Sequence, residues 1–468
     1  MATIVQAPLY ELIPVGSELI YVVENFNIVS TKTKVKFIAE VYISEFPIVT
    51  ASETPIGTFK TTPNNAGNGI FDFRPIVENF VNADNLGGVD SAYKLAVATV
   101  DSTHPLHLID KFSTNKNTFR YVVIVFKTEY LDTLSTPNAI VLDGTESTSL
   151  ELNIFNGYLK YTDELSVFQT EFGYDTTIFH LNPSPLPGDV PAKLLTNAPM
   201  QQFATENDYG TISFYNKQFN LNTYLYLIKI YYTELDGTTT LIMVDNKIAN
   251  GGFNPYITDA KQQILYFGCY PANIRNWDVT FHTKILNGTI DFYTVQGFNN
   301  GNEPLTEELT IKLICPKVKG YEPIRLAWLN QWGAWDYYTF NMKSTKMIST
   351  KGSTYQQLSG TWNEYTYKVN GFKGGKKAFR VNATEKIKMN TDFVSEAESE
   401  WFEELINSPE VYILEGYKTD ITFPNLNTYV TPVRLTTSSF TRKTVANDKL
   451  MQYTFEVEKS KTLRTQSV

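Results

Sequence analysis

Four carboxylates, Asp72, Glu78, Asp336 and Glu364, stand where acid–base chemistry is conceivable. Glycoside hydrolysis needs two such groups across a cleft, one to protonate the leaving oxygen and one to act as base or nucleophile. Their spacing along the chain fixes no pair, and each also suits a turn or a solvated surface. The four histidines are His104, His107, His180 and His282. The i, i+3 spacing of the first two would align them on a helix, but Pro105 between them opposes one, so no metal pair is expected. Cys269 and Cys315 are 46 positions apart with no CxxC companion. Alone they are too few to ligate zinc and read as buried thiols, with a single bridge left open. The loop Lys373-Gly374-Gly375-Lys376-Lys377 concentrates positive charge but lacks GxxxxGK[ST] and any strand-to-helix context, so it does not read as a phosphate loop. GxSxG, HExxH, GxGxxG and EF-hand patterns are missing from the sequence. These residues predict no catalytic, cofactor or metal site, and so no enzyme.

The densest side-chain information lies in Ile324 to Phe340, IRLAWLNQWGAWDYYTF, with three of the six tryptophans and three further aromatics. Ile324, Leu326, Trp328 and Asn330 alternate with Arg325, Ala327, Leu329 and Gln331, the period of a strand. Trp332, Gly333, Ala334, Trp335 and Asp336 break that period, and Gly333 is free to take a positive φ before a β-prone run resumes at Tyr337. The stretch predicts a strand, a tight turn and a returning strand, each tryptophan burying about 150–250 Å² if packed. Two roles are open for it: an aromatic plug closing a core, or a sugar-stacking platform with Trp332, Trp335 and Tyr337 as its flat faces.

At 468 residues the chain exceeds one core, and about three domains is the natural expectation. Aromatic residues make up 14%, which with abundant Thr, Asn, Val and Ile favours sheets. Charged residues are 19% and the net charge is −9, which argues against a nucleic-acid-binding surface over the whole protein. The opening MATIVQAPLYELIPVG has neither a basic nor an apolar signal region, and no window approaches 18 apolar residues. A protein made soluble in a cytoplasm, without a membrane span, is the expectation.

The elements read as strands nearly throughout. In residues 1–145, runs at Glu18 to Ile28, Val35 to Ser44, Tyr93 to Val100 and Phe119 to Tyr130 are β-prone, and YVVIVF suits the centre of a sheet. Beyond Pro75 the spacing of Ile76, Val77, Phe80 and Val81 suggests helix. In residues 146–316, Asn156-Gly157, Asp236-Gly237 and Asn287-Gly288 read as hairpin turns. Strands are expected there at Gly210 to Tyr215, Tyr224 to Glu234, Thr238 to Val244, Ile264 to Tyr270, Asp278 to Ile285, Gly288 to Val295 and Thr306 to Cys315. Five prolines between Pro183 and Pro199 suggest an extended surface excursion. Strands at this spacing predict a mainly β protein of several antiparallel sandwiches, immunoglobulin-like or jelly-roll in type.

Residues 317–468 form the third expected domain. From Pro316 to Asp392 there are 13 Lys and Arg against 5 Asp and Glu, so the remaining chain carries −17. Lys373, Lys376, Lys377 and Arg380 lie at the peak of this charge, as a solvated hairpin tip or as a contact for an acidic neighbouring subunit. One amphipathic helix is expected after Thr391-Asp392: Phe393, Ala397, Trp401 and Leu405 form a stripe, Ser395 and Glu398 a capping box, and Pro409 the stop. Strands follow at Val411 to Glu415, Val433 to Thr437 and Leu450 to Val457, then a mobile tail from Lys459.

The pieces RLAWLNQWGAWDYYTF, EAESEWFEELINSPEVYIL, VTPVRLTTSSFTRK, NDKLMQYTFEVEKS, GIFDFRPIVENFV and LLTNAPMQQFATENDYGTISF, spread over most of the chain, resemble virion structural proteins of tailed phages. The resemblance is to phages infecting Bacteroidota and marine flavobacteria, including the crAss-like group. It places the family's aromatic turn on Trp328, Asn330, Gly333 and Asp336 and its helix on Trp401, Leu405, Ser408 and Pro409. It implies a β-sandwich subunit of the tail, neck or baseplate, present in several copies around the portal axis, with structural rather than catalytic positions. The implied partners are other copies of the chain and other virion proteins, and Lys373, Lys376, Lys377, Arg380, Trp328, Trp332, Trp335, Asp336 and Trp401 are the candidate subunit-contact or structural positions. A receptor protein stacking host glycan on Trp332, Trp335 and Tyr337 is the alternative, and a polysaccharide depolymerase a third.

Overall fold

The computed structural model describes residues 2–464 apart from 49, 51, 84–92, 96–105, 107–111, 116, 135–136, 161–162, 164–172, 183–184, 187, 217, 220–221, 224, 247–263, 276–277, 315–319, 362, 416–428, 438, 440, 442–450 and 462. His104, His107 and Cys315 lie outside the described residues, so their expected roles have no structural counterpart here. The protein is mainly β, with several antiparallel and mixed sheets. It divides into two compact units, Met1–Leu313 with Leu329–Asp336, and Ile314–Trp328 with Tyr337–Val468.

In the first unit the strand Phe119–Asp132 is the centre of a seven-stranded sheet, with Leu152–Phe155 on one side and Thr33–Ser44 on the other. Val122, Ile124 and Phe126 point to one face and pack with Phe37, Ala39 and Val41 against Tyr21, Val23 and Phe71 of a three-stranded sheet, making a sandwich core. Tyr21 and Phe71 meet the Phe126 ring at 5.4 and 5.8 Å between centroids. Val123 and Val125 fill the opposite face with Tyr42. A strand covered on both sides has no polar alternation, which is why this run is continuously apolar.

This unit also holds a five-stranded sheet in the order Gln201–Ala204, Leu309–Leu313, Ile290–Phe298, Leu227–Glu234, Thr239–Asp245 and a four-stranded sheet containing Thr211–Tyr215, Ile264–Gly268 and Phe112–Asn115. Phe112–Asn115 pairs with Ile264–Gly268, and Phe119–Asp132 with Leu152–Phe155. The domain boundary expected at residue 145 therefore falls inside the first unit, whose sheets draw strands from both sides of it.

Several local expectations are corrected. Glu18 to Ile28 is a strand only over Ile20–Glu24, after which α1 (Phe26–Thr31) begins. The helix beyond Pro75 is the single turn α2 (Arg74–Val77). After α3 (Pro271–Arg275) the expected strand from Asp278 is α4 (Val279–Leu286), because the Asp278 side chain accepts from the Phe281 N–H at 2.9 Å and caps it. Asn287-Gly288 is then a helix terminus, with Gly288 at φ 67° donating to Ile285, rather than a hairpin turn. Asn156-Gly157 is not a hairpin turn either, since Leu152–Phe155 pairs with Leu12–Pro14 and Phe119–Asp132. The proline-rich excursion buries Ala192, Leu194, Leu195 and Ala198 in its second half and is core there. Asp236-Gly237 does turn the Leu227–Glu234/Thr239–Asp245 hairpin, with Gly237 at φ 88°.

The second unit is organised on an eight-stranded sheet, in the order Trp335–Phe340, Ile324–Leu329, Val411–Leu414, Val430–Leu435, Thr454–Lys459, Gly375–Asn390, Thr345–Gln357. Leu463 and Arg464 also pair with Ala383 and Asn382, so the expected tail is partly strand. Helix α5 (Glu396–Asn407) covers one face and carries the capping box, though it is one of five helices described. Its buried positions are Ser399, Trp401, Phe402 and Leu405, while Phe393 and Ala397 of the predicted stripe are exposed. The Phe402 ring lies 4.9 Å from Tyr338 and 5.4 Å from Phe455.

Candidate functional site

The turn Leu329–Asp336 is built on one side chain. Asn330 Oδ1 accepts from the Trp332 and Ala334 N–H groups, both at 3.0 Å. Its Nδ2 donates to the Leu195 carbonyl at 2.9 Å and to Asp336 Oδ1 at 3.0 Å. Asp336, 5% exposed, also accepts from the Thr196 hydroxyl at 2.7 Å. Oδ1 of this buried carboxylate thus holds two internal donors, which makes Asp336 a structural acceptor. Gly333 closes the turn at φ 71°.

Trp332 is 3% exposed, its ring 4.8 Å from Phe179 and 5.1 Å from Tyr174, and its Nε1–H donates to Asn197 Oδ1 at 3.0 Å. Trp335 is 2% and Tyr337 4% exposed. A sugar-stacking platform needs aromatic faces open to solvent, so the platform read on Trp332, Trp335 and Tyr337 is overturned by their burial. Of the two roles open for Trp328, Trp332, Trp335, Asp336 and Trp401, subunit contact or structure, their burial leaves the structural one. Trp328 and Trp401 instead meet each other at 4.8 Å within the second unit. There Arg325, also buried, donates to the Thr339 hydroxyl at 2.8 Å and lies 5.3 Å from the Tyr337 ring centre.

The other carboxylates do not assemble a catalytic pair. Asp72 is exposed and accepts from the Arg74 N–H at 3.0 Å, and Glu78 is exposed beyond α2. Glu364 is exposed in the second unit, 3.6 Å from Lys368. A cleft lined by Leu9, Tyr10, Ser17, Glu18 and Tyr174 holds one carboxylate. Among the described residues no three His, Cys, Asp or Glu gather as a metal site. His282 is buried, its imidazole held below the ordinary range by burial, with Nε2 3.3 Å from the Glu206 carbonyl. Cys269 is a buried free thiol. No helix among the described residues is long and apolar enough to cross a membrane.

The basic segment is an arm. Thr345–Gln357 and Gly375–Asn390 pair antiparallel from Thr345↔Lys388 to Gln357↔Gly375. Near its base the second strand also pairs with Thr454–Lys459 through Lys386 to Asn390 and with Leu463–Arg464. Beyond Val381 no third strand joins the ribbon among the described residues. Thr345 to Thr354 are all exposed, and so are Lys376 and Arg380, while Lys373 and Lys377 are half-buried.

The connection at the tip is itself ordered. Thr361 N–H donates to the Lys368 carbonyl and Asn370 N–H to the Ser359 carbonyl, at 3.1 and 2.8 Å. A Cβ at Gly360 would sit 2.2 Å from the Lys368 oxygen, so this crossing requires glycine. Leu358, Tyr365, Val369 and Phe372 project from it into solvent at 60, 105, 72 and 78% exposure. Sequence reading found the cations of this arm but not these apolar residues. They lie in the connection between the two strands, where no strand or helix period marks a side chain as facing solvent.

No family model matches the chain, and no curated protein matches it. Among solved structures it is similar to the native conformation of alpha-2-macroglobulin from E. coli, with 7% identity and a TM-score of 0.18, over 83% of this chain and 21% of that one. The chain thus spans about a fifth of that protein's length. A likeness at this level carries no argument about fold or activity.

Proposed function

We propose that the chain is a non-enzymatic structural subunit of a tailed-phage virion, assembled in several copies in the tail, neck or baseplate after synthesis in the host cytoplasm. The resemblance of its motifs to such proteins suggests the class, and one observation carries the reading. A two-stranded arm that no third strand joins beyond Val381 among the described residues ends in a connection that exposes Leu358, Tyr365, Val369 and Phe372. Two-stranded ribbons are marginal in water, and clustered exposed apolar side chains mark surfaces that another molecule covers. The buried, internally bonded Asp336 and the scattered Asp72, Glu78 and Glu364 give no support to glycoside cleavage.

The test is the composition of purified particles. Mass spectrometry of gradient-purified virions is expected to find the chain in multiple copies, and a residue-resolution reconstruction to locate it in the tail, neck or baseplate. Its absence from intact particles, or release of oligosaccharide from host polysaccharide by the purified protein, would overturn the proposal. Host-glycan binding has lost its aromatic platform and is not proposed.

A further inference from the structure

The arm and one helix of the same unit carry opposite charge. Residues 345–390 hold nine Lys and Arg against two Glu, whereas the rest of the chain holds 31 against 47. At the arm's base the charges are matched internally: Lys386 lies 3.3 Å from Glu456, and Glu385 3.0 Å from Lys459. Toward the tip, among the described residues, only Lys368 is matched, lying 3.6 Å from Glu364. Lys351, Lys373, Lys376, Lys377 and Arg380 have no carboxylate partner among the described residues. Lys377 Nζ reaches only the Phe372 carbonyl at 3.4 Å, and Arg380 Nε the Asn382 side chain at 3.3 Å.

Five cations without counter-ions beside an apolar cluster specify a partner that is acidic and has an apolar component. The chain supplies such a surface. From Asp392 to Glu415 there are eight carboxylates and no Lys or Arg. Of these, Glu396 and Glu400 of α5 are exposed and Glu398, Glu403 and Glu404 half-buried, with Phe393 exposed at 56% just before the helix.

We infer that the tip of the arm, residues 363–380, docks on the acidic face of α5 in a second copy of this chain, Lys373, Lys376, Lys377 and Arg380 facing the α5 glutamates and Phe372 covered alongside Phe393. This rests on the structural reading above and names the partner of its arm. Two different patches meet in such a contact, so it is head-to-tail. It propagates from copy to copy and closes as a ring where the rotation allows. Opposite-sign patches also raise the encounter rate and disfavour arm-to-arm pairing, which would bring like charges together. The ordered tip, fixed by its own hydrogen bonds and by Gly360, limits the conformational freedom lost on docking.

The experiment uses the full chain. An equimolar mixture of isotopically light and heavy protein is treated with a zero-length carbodiimide, which joins lysine to carboxylate. Mixed-isotope cross-links between Lys373, Lys376 or Lys377 and Glu396 to Glu404 are expected, together with self-association in sedimentation that weakens as salt rises. The variant K373E/K376E/K377E, altered only at the tip, is expected to associate at least about tenfold more weakly. Mixing it with E400K/E403K/E404K should restore association between the two, circular dichroism verifying that both are folded.

Self-association indifferent to the tip reversal, or mixed-isotope cross-links mapping elsewhere, would overturn the inference. So would a chain that stays monomeric while its tip lysines are protected by anionic vesicles or single-stranded DNA. Detection in purified particles alongside any of these results leaves the structural reading standing. Mapped arm-to-α5 cross-links in a protein absent from particles would do the reverse.

Discussion

The aromatic turn depends on Gly333 and Asn330 as well as on its tryptophans. Gly333 holds a positive φ, and a Cβ there would lie 2.0 Å from the Asn156 carbonyl oxygen and 2.8 Å from its carbon. Backbone cannot yield as a flexible side chain can, so Gly333→Ala combines αL strain with a collision. Gly237, at φ 88° with nothing within 4 Å of the same position, isolates the strain alone. Gly237→Ala is expected to cost about 1 kcal/mol and Gly333→Ala about 3 kcal/mol or more. Urea unfolding followed by tryptophan fluorescence measures both, and equal losses would mean that the Asn156 approach has been misjudged. The positive φ of Gly333 was legible, because a glycine between two β-prone runs has few other uses. The approach of the Asn156 carbonyl and the Asn330 bond to the Leu195 carbonyl were not, because they join residues far apart in sequence whose proximity only the fold creates.

Strands were legible where one face is buried and the period is 2, and where a run is apolar enough to need both faces covered. Thr33–Ser44 and Phe119–Asp132 are the two cases. Helices of β-prone composition were not. VTFHTKIL reads as strand by residue type, and only the Asp278 cap and the Asn287-Gly288 stop show it to be α4. The same Asn-Gly pair serves a helix end as well as a hairpin, so the dipeptide alone cannot choose. Helix α5 was legible because its cap, its glutamates and its apolar side agree. Its true face is shifted from the predicted stripe, toward Phe402 and away from Phe393, because the aromatic cluster of Tyr338, Phe340 and Phe455 lies there. Removing the cap tests how much the helix relies on that packing. In Ser395→Ala the Glu398 N–H loses its acceptor at 3.2 Å, and the reciprocal bond from Ser395 N–H to the Glu398 carboxylate, 2.7 Å, loses its geometric partner. A loss of about 1 kcal/mol is expected in urea unfolding of the second unit, with Ser395→Asp recovering most of it. No loss in Ser395→Ala would mean that Trp401, Phe402 and Leu405 hold the helix unaided.

At the scale of the whole molecule the chain's course matters more than its length. It leaves the first unit after Leu313, yet Leu329–Asp336 belong to that unit again. The first unit is therefore not encoded by residues 1–313 alone. A fragment ending at Leu313 lacks the Trp332 ring that covers Phe155, Tyr174 and Phe179, the Asn330 amide that satisfies the Leu195 carbonyl, and the Asp336 acceptor of Thr196. Burying one tryptophan removes about 150–250 Å² from water, worth about 4–6 kcal/mol. Unpaired polar groups add about 1–3 kcal/mol each. A domain's net stability is about 5–15 kcal/mol, so the sum is comparable with the whole margin. The fragment is expected to unfold well below the full chain in a thermal scan by circular dichroism and to bind a hydrophobic dye while still structured. Trp332→Ala in the full chain should fall between, losing about 3–5 kcal/mol, because it removes the ring but keeps Asn330 and Asp336. A fragment that melts cooperatively at the temperature of the intact first unit would show that the returning turn decorates the unit rather than completing it.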